Sequence, residues 1–91
     1  MRTVTITVSG RVQGVGYRYA LQQEASSRGV AGWVRNRRDG RVEARLAGDA
    51  DAVEDVIAWA HDGPPAAQVD DVDVLDEASE LSTGFEIRPT A

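Results

Sequence analysis

A chain of 91 residues with ten basic and fifteen acidic side chains, a net charge of −5 and no cysteine is long enough for one two-layer domain. It excludes disulfides, thiolate nucleophiles and thiolate metal sites. The acidic balance argues against a general nucleic-acid binder, and no apolar run approaches the length of a membrane span. The charge is uneven: nine arginines face three acids before residue 47, and one arginine faces twelve acids from there on. The front half can therefore attract a small anion, while the acids of the back half serve solubility.

The chain enters strand alternation almost at once. Val4, Ile6 and Val8 alternate with Thr3, Thr5, Thr7 and Ser9, a period of two in β-branched residues that predicts a strand over residues 3–8 with one buried face. No signal-peptide-like segment precedes it, and the absence of cysteine suits a reducing compartment, so a cytoplasmic location is expected. A glycine-punctuated loop follows, and a helix is predicted from residue 16 or 17 to residue 28. Tyr17, Leu21 and Ala25 form its apolar stripe, with Ala20 beside them. Gly29 stands where a left-handed residue ends a helix.

A second strand is expected over residues 30–35, running into Asn36. Asp39-Gly40 marks a hairpin turn, and the returning strand spans residues 41–47 with Val42, Ala44 and Leu46 on one side. Asp49 is the expected N-cap of a second helix, whose buried stripe is Val53, Val56, Ile57 and Ala60. Gly63-Pro64-Pro65 stops that helix. Residues 69–76 read as a strand whose apolar residues, Val69 and then Val72 and Val74, are out of step, which predicts a bulge or a late start. Residues 77–83 read as a polar connection and residues 84–88 as a short last strand, closed by Pro89.

The order β-α-β-β-α-β-β predicts a single α+β domain over residues 1–91. Two right-handed crossovers joined by a hairpin give a ferredoxin-like βαββαβ sandwich: an antiparallel sheet with two helices on one face, plus a short C-terminal strand. In a βαβ unit the first two strands are parallel. The loop after Ser9 and the residue Asn36 must then lie at the same end of the sheet, about 10 Å apart if one strand is inserted between them.

The stretch from Val8 to Arg18 passes from strand through glycine loop to helix. That arrangement wraps backbone N–H groups around an anion at the positive end of a helix dipole. It also serves elsewhere as a plain tight connection. The Lys-Ser/Thr of a nucleotide P-loop is absent after Gly16, and the glycine spacing is not the dinucleotide fingerprint. Arg18 is either a phosphate-binding fork or a surface arginine, and Asn36 either a site residue or the start of the hairpin turn. His61, at the end of the second helix, suits that helix C-terminus. The aspartates show no recognised metal-ligand spacing.

The segments Gly10-Arg11-Val12-Gln13-Gly14-Val15-Gly16-Tyr17-Arg18 and Gly29-Val30-Ala31-Gly32-Trp33-Val34-Arg35-Asn36, with Asp39-Gly40, Gly63-Pro64-Pro65, Val69-Asp70-Asp71-Val72 and Phe85-Glu86-Ile87-Arg88, resemble the acylphosphatases over essentially the whole chain. The resemblance implies a small hydrolase, with neither metal nor cofactor, that cleaves the carboxyl–phosphate bond of acyl phosphates. It implies that Arg18 binds the phosphoryl group and that Asn36 positions the attacking water. It implies that the backbone amides of Arg11, Val12, Gln13, Gly14, Val15 and Gly16 coordinate phosphate oxygens. The same module occurs fused within larger carbamoyltransferases, but this chain ends at Ala91 and a free-standing enzyme is expected. A monomer acting on a small acyl phosphate, without nucleic-acid or membrane partners, is the corresponding expectation. The alternative is a non-catalytic module that binds an anion or phosphometabolite in the same cradle.

Overall fold

In the computed structural model of the chain, which describes residues 1–77 and 84–91, five strands and two helices follow one another. They are β1 (Arg2–Arg11), α1 (Tyr17–Ser27), β2 (Ala31–Asn36), β3 (Val42–Gly48), α2 (Ala50–Asp62), β4 (Gln68–Glu77) and β5 (Phe85–Ile87). Of the connection expected over residues 77–83, Glu77 belongs to β4 and the rest lies outside the described residues.

The strands form one sheet in the order β4-β1-β3-β2-β5. β1 pairs antiparallel with β3 and β4, and β3 pairs antiparallel with β2. β3 is thus the strand inserted between β1 and β2, which run parallel and end at the same edge of the sheet. β5 adds parallel to the outer side of β2, with Val34 opposite Ile87. The four long strands have the expected antiparallel arrangement, and the short last strand makes the complete sheet mixed.

The alternating pattern sets the core. Val4, Ile6 and Val8 of β1, Val34 of β2 and Val42, Ala44 and Leu46 of β3 are fully buried and meet the stripes Tyr17, Leu21, Ala25 of α1 and Val53, Val56, Ile57, Ala60 of α2. α1 packs on β2 and β5, while α2 packs on β1, β3 and β4. The other sheet face is polar. There Arg35 binds Glu43 at 2.7 Å, and the guanidinium carbons of Arg35 and Arg88 each stand 4.9 Å from the Trp33 ring centre, a distance at which the ring quadrupole attracts a cation.

The frame slip in β4 is a bulge. Ser9 pairs with Asp71 but Gly10 pairs with Val69, so Asp70 is the extra residue. The bulge crowds β1. A Cβ on Gly10 would collide with the carbonyl oxygen of Gln68 and lie 2.8 Å from the amide of Asp70, so only glycine fits there.

Both helices end in ways that position neighbouring elements. At the end of α1, Gly29 N–H donates to Ser26 O at 3.1 Å and Val30 N–H to Ala25 O at 2.9 Å, the paired bonds of a Schellman motif. α2 begins after Asp49 as expected. Val53 N–H donates to the Asp49 carbonyl at 2.9 Å, although the Asp49 carboxylate makes no capping bond. Near the end of α2, the carbonyl of Ala60 has Pro64 at the position that would normally donate to it, and proline has no N–H. The Tyr17 hydroxyl takes that place, donating to Ala60 O at 2.8 Å inside the core. The Tyr17 and Trp59 rings lie beside this bond, 5.6 Å apart at 45°.

Candidate active site

The strand-to-helix loop is made by two glycines in left-handed backbone conformations, Gly14 at φ 73° and Gly16 at φ 78°. With these two reversals the loop curls instead of continuing β1. Gly16 then serves as the N-cap of α1, and the first helical bond is Ala20 N–H to Gly16 O at 3.0 Å. Among the described residues, no carbonyl accepts from the amide N–H groups of residues 13–19. A helix N-terminus always leaves such donors. Here the loop adds its own, and the helix dipole makes the place positive.

A cleft of 180 Å³ opens at this point, lined by Val12, Gly14, Gly16, Tyr17, Arg18, Tyr19, Asn36 and Ile87. The topology thus brings Arg18 and Asn36 into one cavity although they stand on different elements. Arg35 and Arg37 are paired with Glu43 and Asp39, and Arg41 with Asp39. Arg18 has no carboxylate partner among the described residues, which leaves its guanidinium uncommitted. The side-chain oxygen Oδ1 of Asn36 is buried and has no hydrogen-bond partner. A buried acceptor in that condition costs about 1–3 kcal/mol, so a donor that fills it is favoured.

The remaining loop residues occupy different places. Arg11 is the last residue of β1, exposed and paired with Gln68. Val12 lines the cleft but its side chain is in the core. Val15 packs against the core from outside. Gln13 points away from the cleft lining, toward the β2–β3 hairpin. Its Nε2 donates to Arg37 O at 2.7 Å and to Arg41 O at 3.0 Å, lashing the loop to the turn just beyond Asn36. That turn closes with Gly40 N–H on Arg37 O at 3.1 Å and Arg37 N–H on Arg41 O at 2.8 Å. The Asp39 carboxylate accepts from the Arg41 side chain at 2.7 Å and its amide at 3.0 Å. These Arg41 bonds, chiefly the side-chain one, hold the Asp39 pKa down at about 2.

The far side of Asn36 is fixed by the last residues. Arg88 N–H donates to Val34 O at 2.8 Å, Ala91 N–H to Asn36 O at 3.0 Å, and Arg38 N–H to Ala91 O at 2.7 Å. Asn36 is therefore held between Gln13's anchor on one side and the chain's end on the other. His61 is outside the site. Its Nδ1 lies 3.0 Å from Ile57 O, the last-turn contact expected of it.

Sequence reasoning missed Tyr19 and Ile87 as cleft residues. Tyr19 could have been found from its position next to Arg18 on the helix surface. Ile87 had no such signal, because the place of β5 in the sheet was not readable.

The sequence matches the acylphosphatase family model over residues 4–87. It is 54% identical over 85 residues to an acylphosphatase of Azoarcus sp., covering 93% of this chain and 87% of the relative. It is 54% identical over 83 residues to one of Nostoc sp., covering 91% and 82%. The crystal structure of acylphosphatase from Bacillus subtilis superimposes with a TM-score of 0.94 at 42% identity, over 97% of this chain and 99% of that one. With a family model spanning nearly all of its length and relatives this similar in sequence and in structure, the chain belongs to the acylphosphatase family.

Proposed function

We propose that this protein hydrolyses acyl phosphates to a carboxylate and inorganic phosphate. One observation carries the reading: the unclaimed amides of residues 13–19, the uncommitted Arg18 and the orphan Oδ1 of Asn36 border a single cleft. Family membership supports it.

The loop amides and the Arg18 fork bind the phosphoryl oxygens, on which negative charge is spread in the transition state. Arginine suits this because its planar donors reach two oxygens at once. A water donates one hydrogen to Asn36 Oδ1 and is held in line with phosphorus. Its oxygen forms the new P–O bond as the bond to the carboxyl oxygen breaks, and the carboxylate leaves with the electron pair. Asn36 is not a base, so both water protons stay with the product, as dihydrogen phosphate. The carboxylate is a good leaving group and needs no general acid. The gain from Asn36 is orientation.

Because Arg18 and the amides supply the positive field, hydrolysis of benzoyl phosphate in excess chelator is the test. Undiminished turnover is expected. Absent turnover, with phosphate still bound, would instead fit a binding module. The acidic, cysteine-free composition supports action as a monomer in the cytoplasm on a small-molecule substrate, without a nucleic-acid or membrane partner. Among the described residues no helix is long and apolar enough to cross a membrane.

A further inference from the structure

We infer that the cleft carries an acyl subsite, with Tyr19 and Ile87 as its walls, that selects acyl phosphates with an aromatic or extended apolar acyl group over acetyl and carbamoyl phosphates. The inference rests on the hydrolytic reading above. Few large apolar side chains are exposed among the described residues. Val74 and Leu75 are on the edge strand and Met1 is at the terminus, while Tyr19, 64% exposed, and Ile87, 41% exposed, both border the cleft that holds Arg18 and Asn36. Scattered exposed apolar residues need no explanation, but two that converge on one cavity form a surface for a ligand.

Geometry decides which part of the substrate meets them. The phosphoryl end is drawn to the amides of residues 13–19 and to Arg18, so the acyl group must extend from the cradle. The cavity measures 180 Å³, about six water-sized volumes at ~30 Å³ each, which is more than a phosphoryl group and one water fill. The space beyond is bounded by a phenol ring on the second residue after Tyr17 and by the branched side chain of Ile87. Ile87 is set beside α1 because β5 pairs with β2 and Gln22 Nε2 donates to Phe85 O at 3.1 Å. No charged side chain other than Arg18 lines the cleft. A flat or branched apolar acyl group loses water against these walls, whereas a methyl group is too short to span them and a carbamoyl group brings polar N–H groups with no partner.

The test is steady-state hydrolysis of benzoyl and acetyl phosphate by the full chain, by Tyr19→Ser and Ile87→Ser, and by Tyr19→Leu, with inorganic phosphate as a competitive inhibitor. Comparing the benzoyl-to-acetyl ratio of kcat/KM between variants cancels the intrinsic reactivities of the two substrates. Each serine variant is expected to lower that ratio about five- to tenfold, smaller than a closed hydrophobic pocket gives because both walls are partly wet. Tyr19→Leu should recover most of it. Phosphate inhibition should keep its parent strength in all three, which also establishes that they are folded. A ratio within about twofold of the parent in both serine variants, with hydrolysis intact, overturns the subsite alone. Failure of the parent to hydrolyse either substrate overturns the hydrolytic reading and the subsite with it.

Discussion

Gln13 and Arg37 are joined across the mouth of the site: the Gln13 side-chain amide donates to the Arg37 carbonyl at 2.7 Å, while the same nitrogen reaches Arg41 O at 3.0 Å. The loop that cradles the phosphoryl group and the turn that follows Asn36 therefore move as one body. Replacement by methionine keeps the shape of the side chain and removes the donor. Gln13→Met should cost about 1 kcal/mol of stability and lower kcat about tenfold by loosening Asn36 relative to the loop. The check is a double-mutant cycle: with Asn36→Ala already present, Gln13→Met should lower kcat further by less than about twofold.

Arg18→Lys replaces a planar fork by a point charge and is expected to weaken both phosphate inhibition and kcat/KM. Loss of one charge-assisted hydrogen bond, about 1.5–3 kcal/mol, corresponds to about ten- to a hundredfold in each. Titration with inorganic phosphate and initial-rate kinetics measure the two effects. Equal phosphate affinity in parent and variant would remove the fork from the account.

Asn36→Ala removes the acceptor that orients water but none of the groups that bind the phosphoryl oxygens. Turnover should fall about a hundredfold, while the inhibition constant for phosphate stays within about twofold. The opposite pattern, weaker inhibition with unchanged kcat, would place Asn36 among the phosphate ligands instead.

Tyr17 couples pH to stability. Burial raises its pKa well above the ordinary tyrosine value, because an ionised phenolate would lose its hydration in the core. The folded state holds the proton after the unfolded state begins to lose it, so the contribution is complete below about pH 10 and declines as pH rises above it. Alkaline denaturation followed by urea titration should show stability falling from about pH 10. Tyr17→Phe should remove Tyr17's share of that slope. It should also cost about 1–3 kcal/mol at neutral pH, since Ala60 O is left without a donor in the core.

Much of this fold was legible because periodicity carries it. Val4, Ile6 and Val8 could only be one face of a strand, and Tyr17, Leu21 and Ala25 only one side of a helix; the structure buries all six. The slip between Val69 and Val72 announced a bulge, but that Asp70 is the extra residue depends on which residue of β1 stands opposite, a fact of pairing. The meeting of the loop with Asn36 followed from topology, since parallel first and second strands end at one edge. What was not legible depends on contacts between elements. A three-residue strand has too little pattern to choose a partner, so neither the place of β5 nor the arrival of Ile87 at the cleft could be foreseen. Gln13's bond to the hairpin needs the distance between two loops, and the meeting of Tyr17 with Ala60 needs both a fold and a proline four residues on.

The backbone bonds between Ala91 and the Asn36–Arg38 segment bear on how the enzyme is made. Arg18 and Asn36 leave the ribosome early, yet the backbone that fixes Asn36 is completed by the last residues synthesised. Closing that connection spans more than half the chain and belongs with the non-local contacts that form slowly. An emerging chain therefore carries its reactive groups before it can use them, and the first turnover marks the completion of synthesis and folding together.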